Sequence, residues 1–159
     1  MAAMRAAAST SSLREQPTAF AATPSPVRLS LPAEARNIAV VRRALEAIAE
    51  ELALPRRLIE DMRLAVTEAC TNVVRHAYAD GDAQAAGALR VQLLPEADGM
   101  RVIVEDQGRG LGPSPDVGGP GLGLPLIAAL TSRLEVTHGD DGRGSRVAMS
   151  FAPGSIGAA

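Results

Sequence analysis

Apolar side chains recur at intervals of three and four along two stretches of this chain, and at every second position along several shorter ones. The first helical line is Ile38, Val41, Leu45, Ile48 and Leu52, the spacing by which one helix face meets a core. Pro32 and Glu34 stand at its start, where proline fits the first turn and an acid favours the positive end of the dipole. The pattern therefore predicts a helix from Ala33 to Leu52. A second line, Ile59, Met62, Val66, Ala69, Val73 and Ala77, follows Pro55 and predicts a second helix. Period-two stretches predict strands over Val27 to Leu31, Leu89 to Leu94, Met100 to Glu105, Arg133 to Thr137 and Ser145 to Phe151. A turn is expected at Glu96-Ala97-Asp98-Gly99, another at "HGDDGRG", and a third helix from near Leu122 to about Leu130.

The order is thus strand, two helices, two strands, a glycine-rich loop, a helix and two strands, with no internal repeat. Hairpin-linked strands with grouped helices predict an α+β fold, a two-layer sandwich with helices on one face of a mixed sheet. The domain is expected over residues 27–152. Residues 1–26, rich in Ala, Ser, Thr and Pro, predict a disordered tail or an over-extended reading-frame start rather than a transit peptide. Residues 153–159 predict a second flexible tail.

Composition sharpens this picture. Apolar residues make up 47% of the 159, yet the only aromatics are Phe20, Tyr78 and Phe151, so the core must be built from aliphatic side chains and Met. Net charge is -2 and the basic residues cluster no further than Arg42-Arg43 and Arg56-Arg57. A nucleic-acid binder needs a larger basic footprint. No run approaches the roughly 18 apolar residues of a membrane span. The single cysteine, Cys70, excludes an internal disulfide and any multi-thiolate zinc site, and suits a cytoplasmic location. Its place on a half-buried helix favours packing over a redox role.

Two segments carry chemistry. Along the second helix Glu68, Asn72 and His76 follow at steps of four in "TEACTNVVRHAY", so they form one stripe bordering the apolar line. In "DQGRG" Asp106 ends a strand where glycines begin; a carboxylate there can accept a hydrogen bond from an exocyclic amine, and Gly108 and Gly110 let the backbone approach a flat ring. Gly121 and Gly123 precede a helix whose free N–H groups favour phosphate. Together these describe a nucleotide site, against the plainer reading of a strand-end turn and a linker. The spacing fits neither a dinucleotide fingerprint nor a phosphate loop, since no Lys follows the glycines.

"EACTNVVRHAY", "DQGRG", "GGPGLGLPLI" and "GSRVAMSF" occur in that order over residues 27–151. This set resembles the GHKL (histidine-kinase-like) ATP-binding domains with their Bergerat-type fold, and within them the bacterial anti-sigma factor serine-protein kinases. The resemblance implies ATP and Mg2+ as cofactors. It implies Glu68 as the catalytic carboxylate, Asn72 as the magnesium ligand on the phosphates, and Asp106 as the adenine reader above Gly108 and Gly110. Gly121, Leu122, Gly123 and Leu124 would form the phosphate-side helix start. Ser145 stands where many members have Thr, and would help hold the adenine end through a water. His76 is either a phosphate-side residue or a buried structural histidine. As partners the resemblance implies a sigma factor and a STAS-type anti-sigma antagonist whose serine is phosphorylated, with the kinase a homodimer.

The chain departs from that pattern in its lid. Between Gly110 and Gly121 there is no Lys or Arg, which leaves Arg109 or Arg75 as the cations that could approach the γ-phosphate. The alternative is a non-catalytic ATP-binding module that uses nucleotide to choose its partner.

Overall fold

A computed structural model describes residues 24–77, 87–108, 123–138 and 143–154. The expected tails therefore lie outside the described residues, apart from 24–26 and 153–154. The elements are β1 (Val27–Pro32), α1 (Ala35–Glu51), α2 (Arg56–Asn72), β2 (Ala88–Glu96), β3 (Gly99–Glu105), α3 (Gly123–Leu130), β4 (Arg133–His138) and β5 (Ser145–Phe151), with a π-helical turn Val73–Ala77 continuing α2. The five strands pair in the order β1-β2-β3-β5-β4. The fold is α+β, and one face of the sheet carries all the described helices' core contacts.

The sheet was expected to be mixed, but every neighbouring pair is antiparallel. The connections explain this. Two helices between β1 and β2 return the chain to pair antiparallel, and a tight turn joins β2 to β3. The single helix α3 does make β4 run in the direction of β3, but β5 inserts between them and opposes both.

Pro32 also behaves differently from its expected role. It closes β1 opposite Ala88, on an edge strand where a missing N–H costs no ladder bond. Asn37 Nδ2 donates to the Pro32 carbonyl at 2.7 Å, tying the strand end to the first turn of α1. Just beyond that helix stands Ala53, whose φ is 52°. There Ala53 N–H donates to Glu50 O and Leu54 N–H to Ala49 O, the paired bonds of a left-handed helix stop that usually holds glycine.

The core is aliphatic as composition requires. Val41, Leu45 and Ala49 of α1 meet Met62, Ala65, Val66 and Cys70 of α2 over Leu89, Val91, Leu93, Met100, Val102, Met149 and Phe151 of the sheet. Each such large side chain removed from water contributes about 1.5–3 kcal/mol. The other sheet face is polar. Arg146 Nε bonds Glu105 Oε1 at 2.8 Å and Arg101 Nη2 bonds Glu135 Oε2 at 3.0 Å, flanking the buried Ile103 and Ala148. An antiparallel sheet permits this, with one face packed and the other wet.

Candidate functional site

The alternation of β3 carries Val102 and Val104 into the core and delivers Asp106, the first residue beyond the strand, to a buried position. Its backbone N–H donates to Ser145 O at 3.0 Å, continuing the β3–β5 pairing by one step. The carboxylate is held at both oxygens. Gly108 N–H donates to Oδ1 at 2.8 Å. Ser145 N–H donates to Oδ2 at 3.2 Å, and the Ser145 hydroxyl donates to the same oxygen. Among the described residues Oδ2 thus accepts two bonds and Oδ1 one, and a further hydrogen bond to Oδ1 is what an exocyclic amine would require.

Gly144 makes this arrangement possible. Its φ is +67°, and a β-carbon there would lie 1.9 Å from the Asp106 carbonyl oxygen. Its N–H donates to Gly108 O at 3.0 Å. Only glycine fits a left-handed residue pressed so closely on a neighbouring backbone. Gly144 closes the expected turn "HGDDGRG" and opens "GSRVAMSF", and its place directly before Ser145 is the one sequence signal of this individual role.

A second group lies on the helical layer. A β-carbon on Gly123, the first residue of α3, would stand 2.9 Å from Glu68 Oε1, 3.1 Å from Asn72 Nδ2 and 3.5 Å from Asn72 Oδ1. Both α2 side chains therefore converge on the start of α3, where the absence of a side chain leaves room for them. Helix α2 packs on α3, β3 and β5, so it links the acid-amide pair to the strands that hold Asp106. The first turn of an eight-residue helix has N–H groups without intrahelical acceptors, beside a carboxylate and an amide. That combination suits phosphate with a hard cation: Mg2+ takes few protein oxygens and leaves the rest of its shell to phosphate and water.

Cavity size does not locate this chemistry. A groove of about 550 Å3 between α1 and α2, floored by Leu54 and Ile59, carries the surface ion pairs Arg63–Glu46 and Arg56–Glu60 and none of the convergent groups.

A model of the histidine kinase-like ATPase domain matches residues 31–151. The chain belongs to that family. Among its relatives, a protein named serine-protein kinase RsbW from Halalkalibacterium halodurans is 34% identical over 128 residues, covering 71% of this chain and 76% of its own. A serine-protein kinase RsbW of Bacillus cereus is 30% identical over 132 residues, covering 73% and 79%. In Bacillus licheniformis a protein of the same name is 39% identical over 93 residues, covering 49% and 56%. The crystal structure of the RsbU and RsbW domains of Rv1364c from Mycobacterium tuberculosis superposes with a TM-score of 0.62 at 23% identity. It covers 86% of this chain, which spans only 35% of that longer polypeptide; the likeness establishes a shared fold.

Within this histidine kinase-like ATPase domain, Glu68, Asn72 and Gly123 come together, as do Asp106, Gly108 and Ser145. Leu124 is half-buried and packs against the hydrophobic core, so its side chain serves the seating of α3. Gly110, Gly121 and Leu122, expected beside the base and phosphates, and Arg109 lie outside the described residues. His76 was expected to extend the Glu68–Asn72 stripe by one more turn. Its backbone falls in the π-helical turn, and its side chain lies outside the described residues. Cys70 is fully buried, and burial pushes its thiol up to about 12, so it packs as an inert small hydrophobe.

Proposed function

We propose that this domain is an ATP:protein serine phosphotransferase that phosphorylates a serine of a STAS-type anti-sigma antagonist and sequesters a sigma factor. The observation that carries the reading is the convergence of Glu68 and Asn72 on Gly123 at the start of α3. In this reading Asp106 Oδ1 accepts one hydrogen of the adenine amine, and Asn72 Oδ1 would hold Mg2+, which would supply positive charge beside the phosphates. Glu68 accepts the proton of the substrate hydroxyl as the serine oxygen bonds to the γ-phosphorus and the bond to ADP breaks. The relatives named serine-protein kinase support phosphotransfer to serine. The sigma factor, the antagonist and the homodimeric state extend the family resemblance to this chain.

The test is transfer of label from γ-³²P-ATP to a small antagonist-like partner purified with the protein. Glu68→Ala should keep ATP affinity within a few-fold while transfer falls by about 10²–10⁴-fold, the usual contribution of a positioned base. Transfer by Glu68→Ala at the unmodified rate would assign the base elsewhere.

A second reading is a non-catalytic ATP-binding partner switch. It is favoured by the absence of Lys and Arg between Gly110 and Gly121, which leaves the lid without a cation for the γ-phosphate. Tight, ATP-dependent partner binding without any label transfer would select it.

A further inference from the structure

The chain's course brings two features to the same end of the fold. β1 begins at Val27, opposite Leu93, and closes at Pro32, opposite Ala88. Across the ladder Met100 and Phe151 stand at the Val27 end, and Asp106 and Ser145 at the Pro32 end. Helix α1 leaves from Pro32 and packs on β1 and β2. Its 17 residues rise about 25 Å, so its last turn, and the turn into α2, lie back at the Val27 end. Residues 1–23, outside the described ones, join the fold at that same end. The groove between α1 and α2 is there too, about 550 Å3 over the half-buried Leu54 and Ile59. Its charges do not balance. Among the described residues Arg63 pairs with Glu46 and Arg56 with Glu60, while the exposed Glu50 on the groove wall pairs with no cation. A helix C-terminus favours positive charge, yet the last turn of α1 holds no basic residue.

An occupant that suits this groove brings an apolar side chain and a cation together. The chain carries such a pair in Leu13 and Arg14, and no acid precedes Glu15. The ten residues from Arg14 to Thr23 span about 33–36 Å when extended, longer than α1 itself. A short tether holds its segment at an effective concentration of about millimolar, so contacts too weak to retain a free peptide suffice. A polar segment with no core of its own can order on a surface in this way. We propose that the α1–α2 groove is the docking site of the chain's own N-terminal segment, with Leu13 over Leu54 and Ile59 and the Arg14 guanidinium on the Glu50 carboxylate. Docked there, the segment straps the α1–α2 turn at the end of the fold opposite Asp106 and Ser145. The strap does not depend on the nucleotide reading above.

Disulfide trapping in the full chain tests it, since the native Cys70 is fully buried and does not compete. Leu13→Cys combined with Ala53→Cys, exposed on the groove wall, should close a bond within one chain about tenfold faster than Leu13→Cys combined with Ala97→Cys. Ala97 is exposed in the β2–β3 turn at the same end of the fold, so a segment that does not dock would reach both. Adding Glu50→Arg should slow the first pair by about threefold or more and leave the second unchanged. Should the cysteine variants fold poorly, trypsin serves: in Glu50→Arg, cleavage after Arg14 relative to Arg5 should rise by about threefold or more over the unmodified chain. Equal trapping at Ala53 and Ala97, or rates unmoved by Glu50→Arg, would overturn the strap. A bond formed only between two chains would overturn it as well and give the groove to a second copy.

Discussion

Ser145 grips Asp106 twice, through its backbone N–H and its hydroxyl, across 39 residues of sequence. The carboxylate is therefore a structural clasp between β3 and β5 as well as the proposed reader of the base. Those two roles make different demands on the same two oxygens, and substitutions can separate them.

Asp106→Asn leaves one acceptor oxygen and turns the other into a donor. Either orientation of the amide sets an N–H against an N–H or hydroxyl donor, from Gly108 or from Ser145. The expected cost is about 1–3 kcal/mol of stability, or roughly 2–4 °C of melting temperature per kcal/mol in a domain of this size. ATP affinity should fall by about ten- to a hundred-fold, and GTP should bind poorly to the unmodified protein. Calorimetry and a melting curve on the same sample check both parts. Equal affinity for ATP and GTP would remove Asp106 from the base.

Cys70 supplies a pH dependence with a defined sign. Burial raises its thiol from 9.0 to about 12, so the folded state holds the neutral form while the unfolded chain ionises from about pH 9. Its contribution is complete below pH 9 and is lost progressively as pH rises towards 12. The stability difference between the protein and Cys70→Ala should accordingly narrow across that window in urea titrations. At pH 8 a thiol reagent should modify the native protein far more slowly than the unfolded one.

Ala53 occupies a conformation that costs an L-residue about 1–2 kcal/mol, while glycine there pays mainly in unfolded-chain entropy. Ala53→Gly should stabilise the domain by about 0.5–1 kcal/mol, read as a higher urea midpoint at unchanged slope. A decrease would mean that the methyl group's contacts outweigh the backbone strain.

Much of this fold was legible because its elements declare themselves locally. The lines through Val41, Leu45, Met62 and Val66 and the alternation through Val102, Val104, Val147 and Met149 reflect burial on one face, and each maps onto the observed core. What the sequence could not show are relationships between distant backbones. The insertion of β5 between β3 and β4 decides strand direction, yet no periodicity records it. Nor does the apolar spacing announce the π-helical turn at Val73–Ala77. Gly144 looked like one more turn glycine, because its reason is a carbonyl oxygen 38 residues earlier.

Gly123 and Gly144 should respond in opposite ways to the same added methyl group. At Gly123 the β-carbon would meet Glu68 Oε1 at 2.9 Å and Asn72 Nδ2 at 3.1 Å, the far ends of side chains that can swing aside. Alanine favours a helix interior over glycine by about 0.8–1.0 kcal/mol, an advantage that shrinks at the first residue. Gly123→Ala should therefore melt close to the unmodified temperature. Displacing a catalytic group by about 1 Å can cost on the order of 10²-fold in rate, so label transfer should fall steeply while the fold persists. At Gly144 the β-carbon would lie 1.9 Å from the Asp106 carbonyl oxygen and 2.8 Å from Gln107 Cα, at a φ of +67°. Those atoms are backbone and cannot yield without opening the Asp106–Ser145 clasp. Gly144→Ala should lose more than about 2 kcal/mol of stability, and ATP affinity with it. Melting curves and transfer assays on the two variants, measured side by side, decide the matter. If Gly123→Ala kept full transfer, the convergence of Glu68 and Asn72 on α3 would not be the catalytic arrangement.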